Sequence, residues 1–272
     1  MPPFLAYDDK GPKPTTETTT ATATGRLPLV LVHGHPFDRT MWSPQIAAFR
    51  TERRVVAPDL RGYGASPVTD GAVPLSRHAQ DIEELLNALA VDSFVLAGLS
   101  MGGQIAMECY DRFGDRVRGL VLADTFPDPE TPEGRRNRRA MAGRLLAEGM
   151  RGYADEVLEK MVAPYADPEV KAQVHRMMTA TSPRGAAASL RGRAERPDYR
   201  PLLARVTAPV LVVVGADDTY TPVPDAEAMH RALPGSRLHV VERAAHMPNL
   251  ERPEEFNKVL GEFLTAVDLL PS

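Results

Sequence analysis

From Leu27 onward, short apolar runs alternate with stretches in which apolar residues recur every third or fourth position. The runs are LPLVLV (27–32), RRVVAP (53–58), SFVLAG (93–98), VRGLVLA (117–123), APVLVVVG (208–215) and RLHVV (237–241). They are mostly apolar at successive positions, so both faces of each strand need cover; that is the pattern of a parallel sheet between helix layers. In 75–90, Leu75, Ala79, Ile82, Leu85, Leu86 and Leu89 follow helical spacing and predict a helix with Ser76 as N-cap. Repeated strand–helix alternation predicts right-handed βαβ units and a doubly wound, mostly parallel α/β fold.

The rhythm breaks between Thr125 and Val206. This stretch holds helical patterns at 135–150, 153–162, 168–178 and 183–195 and no strong strand. A structureless connection of that length is implausible, so 125–206 is expected to be a helical insertion in a core made of 1–124 and 207–272. The insertion carries 15 Lys/Arg and 11 Asp/Glu, net +4, which leaves −8 for the remainder of a chain with net charge −4. At the N-terminus, Phe4–Tyr7 is a candidate edge strand, and GPKPTTETTTATAT (11–24) reads as a flexible low-complexity loop.

Composition narrows the function classes. A net charge of −4 is too mild to signal nucleic acid or an acidic membrane as partner. The single cysteine, Cys109, excludes an internal disulfide and any cysteine-rich zinc site, and is expected to be buried. The first residues, MPPFLAYDDK, show no signal-peptide pattern, and no run approaches the roughly 20 apolar residues of a membrane span, so a cytoplasmic location is expected. The 25 prolines are spread through the connections, as in a fold with many stiffened loops.

The chemistry concentrates after the third main run. Gly98-Leu99-Ser100-Met101-Gly102 is G-x-S-x-G, placed between an apolar strand and a helical stretch (Gln104–Arg112). A nucleophile on so sharp a turn needs very small neighbours two residues away, and glycine stands at both positions. Ser100 then projects at a helix N-terminus, where the dipole and free N–H groups favour developing negative charge. Its hydroxyl needs a base, and His246, in the loop after the last predicted strand, is the best placed of seven histidines. The acid that orients this imidazole is expected in Gly215-Ala216-Asp217-Asp218, where two aspartates compete. For the oxyanion, His33-Gly34-His35-Pro36 offers the His35 amide, since proline has no N–H, and the second donor is the amide of Met101.

These residues, in the order Ser, Asp, His, resemble the α/β-hydrolase superfamily. The resemblance spans Leu27–Asp124 and Ala208–Leu264 and is carried by HGHPFDRTMW, DLRGYGAS, AGLSMGGQIAME, VLVVVGADDTYTP and AAHMPNLERPEEF. It implies an α/β-hydrolase fold with the insertion as a lid, no cofactor and no metal. It also selects Asp218, three residues after the strand-end Gly215 and four before Pro222. The motifs GLSMGG and VLADT look most like the esterase, enol-lactonase and cofactor-free perhydrolase branch, which implies a small-molecule ester or lactone substrate and an acyl-enzyme. C–C bond hydrolysis or perhydrolysis by the same residues is the alternative, and a non-catalytic ligand receptor is the alternative of another class. Haloperoxidase-like members often carry Trp where His35 stands, so the peroxidase assignment is weakened here. Asp124 is a second place for the acid in some members. Asp59 and Arg61 are read as loop-locking residues. Met141, Met150, Met161, Met177 and Met178 are read as a plastic apolar lid face or ordinary lid packing, and Arg135, Arg136, Arg138 and Arg139 as a solvated helix face.

Overall fold

The apolar runs assemble into a sheet of seven strands, β1 (Tyr7–Lys10), β2 (Leu29–Val32), β3 (Val55–Pro58), β4 (Phe94–Leu99), β5 (Val117–Ala123), β6 (Val210–Gly215) and β7 (Arg237–Val241), in the order β1-β3-β2-β4-β5-β6-β7. The computed structural model describes residues 4–13 and 25–271, so most of the low-complexity stretch 11–24 lies outside the described residues. All neighbouring pairs are parallel except β1 with β3. The strand order reverses at β2, with β3 on one side and β4 on the other, and ligands of such sheets bind beyond the carboxyl ends at that point.

Alternation along each strand feeds two separate cores. Val30, Val32, Leu96, Leu120, Leu122 and Val212 face one layer. Leu29, Leu31, Val95, Ala97, Val121 and Val213 face the other. The helices covering them are α1 (Ser43–Phe49), α2 (Leu75–Ala88) and α3 (Met101–Phe113) before the insertion, and α9 (Val223–Ala232), α10 (Pro248–Glu251) and α11 (Pro253–Asp268) after it. Burying each of these Leu and Val side chains stabilises by about 1.5–3 kcal/mol, which is why residues apolar at successive positions form central strands.

Two local expectations change. The edge strand runs Tyr7–Lys10, beyond the expected Phe4–Tyr7. Its polar residues suit an edge: Asp9 pairs with Arg54 at 2.9 Å, whereas Leu5 is buried in the core and Phe4 lies 4.0 Å under the Arg61 guanidinium. Ser76 is not the N-cap of α2. The helix begins at Leu75, and the extended Pro74 holds the cap position, its carbonyl accepting from the amides of Arg77 and His78.

Between β5 and β6 the insertion forms α4 (Pro132–Glu148), α5 (Arg151–Met161), α6 (Pro168–Ala180), α7 (Pro183–Arg193) and the short α8 (Arg200–Leu203). Thr131, Asp167 and Ser182 cap α4, α6 and α7 with their side chains, and each of these helices begins with proline. Ala142, Leu145, Ala186, Ala187 and Leu190 join α4 to α7. Met161, Met177 and Met178 instead share the body's core with Trp42 and Phe256, while Met141 and Met150 stay within the insertion's own cluster. Of the basic cluster, Arg138 pairs with Glu130, Arg135 and Arg139 pair with Glu195, and Arg136 is exposed. No described helix is long and apolar enough to cross a membrane.

Candidate active site

The turn from β4 into α3 is built around one strained residue. Ser100 has φ 58° and ψ −117°, in the left-handed half of backbone space where a side chain is disfavoured. A Cβ at Gly98 would stand 2.1 Å from the carbonyl oxygen of Gly102, and a Cβ at Gly102 would stand 2.1 Å from that of Val32. The backbone of Ser100 is tied on both sides: its N–H donates to Ala123 at 2.9 Å, and its carbonyl accepts from the Thr125 hydroxyl at 2.8 Å. Ser100 is itself half-buried while its neighbours on both sides are buried. Gly98→Ala is therefore expected to destabilise the fold by about 3 kcal/mol or more, because the new methyl meets backbone with no room to yield. Gly143→Ala, on α4 with nothing within 4 Å, is expected to stabilise by about 0.5–1 kcal/mol. Urea unfolding midpoints of the two variants check both signs.

Sheet register carries the next groups to the same edge. Leu99 is level with Ala123, Ala123 with Val213, and Val213 with His239. The segments that follow these strands therefore emerge side by side at the carboxyl edge, beginning with Ser100, Asp124 and the loops after β6 and β7. Asp218 and His246 meet there: His246 Nδ1 lies 2.7 Å from Asp218 Oδ2, and both side chains are buried. Asp218 also accepts from the amides of Tyr220 (2.8 Å) and Thr221 (3.3 Å) and from the Thr221 hydroxyl. Burial alone would raise its pKa, but the nearby imidazole and these hydrogen bonds prevail and bring it down to about 2. An ionised carboxylate only accepts, so Nδ1 carries the proton toward Asp218 and Nε2 is left as the imidazole's free nitrogen. The competing Asp217 is exposed and takes the hydroxyl of Tyr165.

Asp124 is the third acid at this edge. Its Oδ1 accepts from the Gly215 amide at 2.9 Å, and its buried Oδ2 has no hydrogen-bond partner among the described residues. Burial, reinforced by the neighbouring Asp218, pushes its carboxyl well above the usual range. Ligand-type atoms of Asp124, Asp218 and His246 lie within 4.8 Å of one another, the spacing of a metal cage. The acceptor oxygens of Asp218 and Nδ1 of His246 are already spent on each other, on Thr221 and on Tyr220, so a cation there would have to break that network.

The loop after β2 closes the site from the other side. A Cβ at Gly34 would lie 3.2 Å from Ser100 Cβ, and the Gly34 carbonyl accepts from the Phe37 amide at 3.1 Å, completing a tight turn. Neither the His35 nor the Met101 amide donates to another group among the described residues, so both stay available. His35 Nδ1 is 2.7 Å from the Tyr63 hydroxyl, and burial followed by the charge of Arg193 holds its pKa well below the ordinary value. The other histidines are engaged elsewhere: His33 Nε2 accepts from Leu60 N–H, and His78, His175, His230 and His239 contact Ser189, Asp155, Ser236 and Glu255. Asp59 holds the Arg39 and Ala65 amides and pairs with Arg39, while Arg61 pairs with Asp81, so both fasten loops. Cys109 is buried.

The insertion touches each loop of this edge. Thr181 donates to the Pro36 carbonyl at 2.8 Å, the Tyr153 ring stands 6.2 Å from that of His35, and Glu251 accepts from the amides of Ala163, Ala245 and Met247. Glu251, Thr125 and Thr221 also hold this edge, and no motif of the sequence marks the first two. The Asp-x-x-Thr spacing of Asp218 and Thr221 was the available signal, since a hydroxyl three residues on returns to a turn carboxylate.

A profile described as the alpha/beta hydrolase family matches residues 29–259. Among curated proteins, 3-oxoadipate enol-lactonase 1 of Acinetobacter baylyi is 26% identical over 85% of this chain and 85% of its own. The pimeloyl-[acyl-carrier protein] methyl ester esterase of Neisseria meningitidis serogroup A is 31% identical over 87% of this chain and 76% of its own. Among solved structures, a thermophilic esterase from Thermogutta terrifontis, with malate bound, superposes with a TM-score of 0.90 at 38% identity, covering 97% of this chain and 94% of that one. With the strand order, the elbow at Ser100 and this match over most of its length, the chain belongs to the alpha/beta hydrolase family.

Proposed function

We propose that the protein is a serine hydrolase that cleaves a carboxylic ester or lactone through an acyl-enzyme, without a cofactor. The observation that carries this reading is the buried 2.7 Å contact between His246 and Asp218, at the same sheet edge as a serine held in a strained turn. In this reading Nε2 of His246 takes the Ser100 proton as the hydroxyl attacks the carbonyl, and returns it to the leaving alcohol. Asp218 fixes the tautomer and stabilises the imidazolium. The amides of His35 and Met101, with the N-terminal end of α3, hold the tetrahedral oxyanion; one such donor is worth about 10²–10³ in rate. Water activated by the same imidazole then releases the acid. The helices between β5 and β6 act as a cap that limits water and shapes the acyl pocket. Relatives named as an enol-lactonase, a methyl ester esterase and an esterase support ester and lactone chemistry.

Mixing with p-nitrophenyl acetate, quenching in acid and mapping peptides is expected to find acetyl on the peptide bearing Ser100, with turnover continuing after the burst. Acetyl at another residue, or none, overturns the reading. Turnover of β-diketones above that of esters, or of esters only with peroxide, would move the reaction to C–C hydrolysis or perhydrolysis on the same residues.

A further inference from the structure

The last turn of α7 places a guanidinium where the described residues supply no counter-ion. Arg193 is 8% exposed, and its one hydrogen bond runs from Nε to Oε1 of Gln104, at 3.2 Å. No carboxylate pairs with it among the described residues, and its two terminal nitrogens have no partner. Gln104 is 1% exposed and stands four residues after Ser100 on α3, one helical turn along the same face. Its amide nitrogen is likewise without a partner among the described residues. Unlike Nε2 of His35, these nitrogens are not sealed from solvent, so they border accessible space rather than packed side chain. Arg193 acts electrostatically on His35, Tyr63 and Tyr153, the rings beside the loop after β2. Arg138 and Arg196 add positive charge nearby, and Glu130 is engaged by both of them. Glu130 thus serves two guanidiniums and leaves Arg193 without a carboxylate among the described residues.

An unpaired charge at this depth is costly to desolvate, and a protein with no use for it would be more stable with an apolar residue there. We propose that Arg193, assisted by the Gln104 amide, binds the carboxylate of a monoanionic substrate, so that the preferred ester or lactone is one that carries a second, free carboxyl group. With Nε held by Gln104, the planar edge of the two terminal nitrogens remains, and it matches a carboxylate in bidentate fashion. A single uncompensated guanidinium at that edge suits one negative charge. This inference rests on the serine-hydrolase reading and names the substrate class of that site.

The test compares the half methyl esters of malonic to adipic acid with neutral methyl esters of equal chain length. In the native enzyme, at least one half ester is expected to have the higher kcat/KM. In Arg193→Met, checked for native circular dichroism, the ratio of half-ester to neutral-ester kcat/KM is expected to fall by about 10–150-fold, mainly through KM, the range for a charged hydrogen bond. Arg193→Lys is expected to retain part of the preference. A ratio that moves by less than about threefold in Arg193→Met overturns the inference. Should that variant not fold, a native enzyme that prefers every neutral ester overturns it equally. Acetylation of Ser100 by p-nitrophenyl acetate separates the two levels: with acetylation and no carboxylate preference, only the Arg193 assignment falls. Without acetylation, the hydrolase reading falls as well.

Discussion

Ser100→Ala is expected to lower kcat for a simple ester by about 10⁵–10⁶-fold and to abolish labelling by a fluorophosphonate probe while the protein stays folded. The reason for the intact fold is that the turn is held by backbone and neighbouring groups: Ser100 N–H to Ala123, its carbonyl to Thr125, and glycines at 98 and 102 where no Cβ fits. Alanine keeps the same backbone strain and loses only the hydroxyl. Ser100→Gly separates strain from chemistry. It should be equally inactive yet more stable by about 1–2 kcal/mol, because glycine adopts φ near 58° freely. Thermal melts of the three proteins, with probe labelling followed by gel fluorescence, check both halves. Labelling that survives in Ser100→Ala would remove the nucleophile from residue 100.

Asp218→Asn is expected to reduce kcat by roughly 10⁴-fold, whereas Asp217→Asn should change it by less than about threefold. The Tyr220 and Thr221 amides keep the asparagine oxygen at the Oδ1 position, so its NH2 stands where Oδ2 was and donates to Nδ1, turning the imidazole to the wrong tautomer. Asp217 has no comparable partner, being exposed and bound to Tyr165. Asp218 and the neighbouring Asp124 set opposite pH trends in stability. Asp218, brought down to about 2 in the fold, contributes stability that is present above the ordinary aspartate value near 3.9 and is lost as pH falls toward 2. The size is about 2 kcal/mol. Asp124 is raised, so its contribution has the reverse sign: folding favours the neutral acid, and stability is lost as pH rises above about 4. Asp124→Asn places a neutral amide in the same hydrogen bond with Gly215 and should therefore gain on the native protein as pH rises above about 4. Urea titrations at stepped pH measure both slopes, and a native-like slope in Asp124→Asn would contradict the assignment of that acid as neutral.

Several features of the site were readable because they are local. G-x-S-x-G after an apolar run dictates its turn, since any larger residue at 98 or 102 meets a carbonyl oxygen. The β-rich runs, apolar at successive positions, dictated strands covered on both sides, and the two-layer core follows from their alternation. Errors fell where local pattern and packing compete. Phe4 and Leu5 look like strand but anchor the chain to Arg61 and the core, and Pro74 opens α2 where Ser76 was expected to cap it.

From sequence alone come the alternation of strands and helices, the sharp turn at Ser100 and a short set of acids and imidazoles for its partners. Each depends on residues close together in the chain, where backbone sterics and apolar spacing act directly. Spacing left Asp217 and Asp218 open and the resemblance chose Asp218; tertiary structure brings that aspartate to His246, sets Asp124 beside them, and ends α7 with Arg193 over Gln104 and no acid among the described residues to meet it. Those contacts join residues 28 to 91 positions apart in the chain, and sheet register and helix packing, rather than local spacing, bring their side chains within reach.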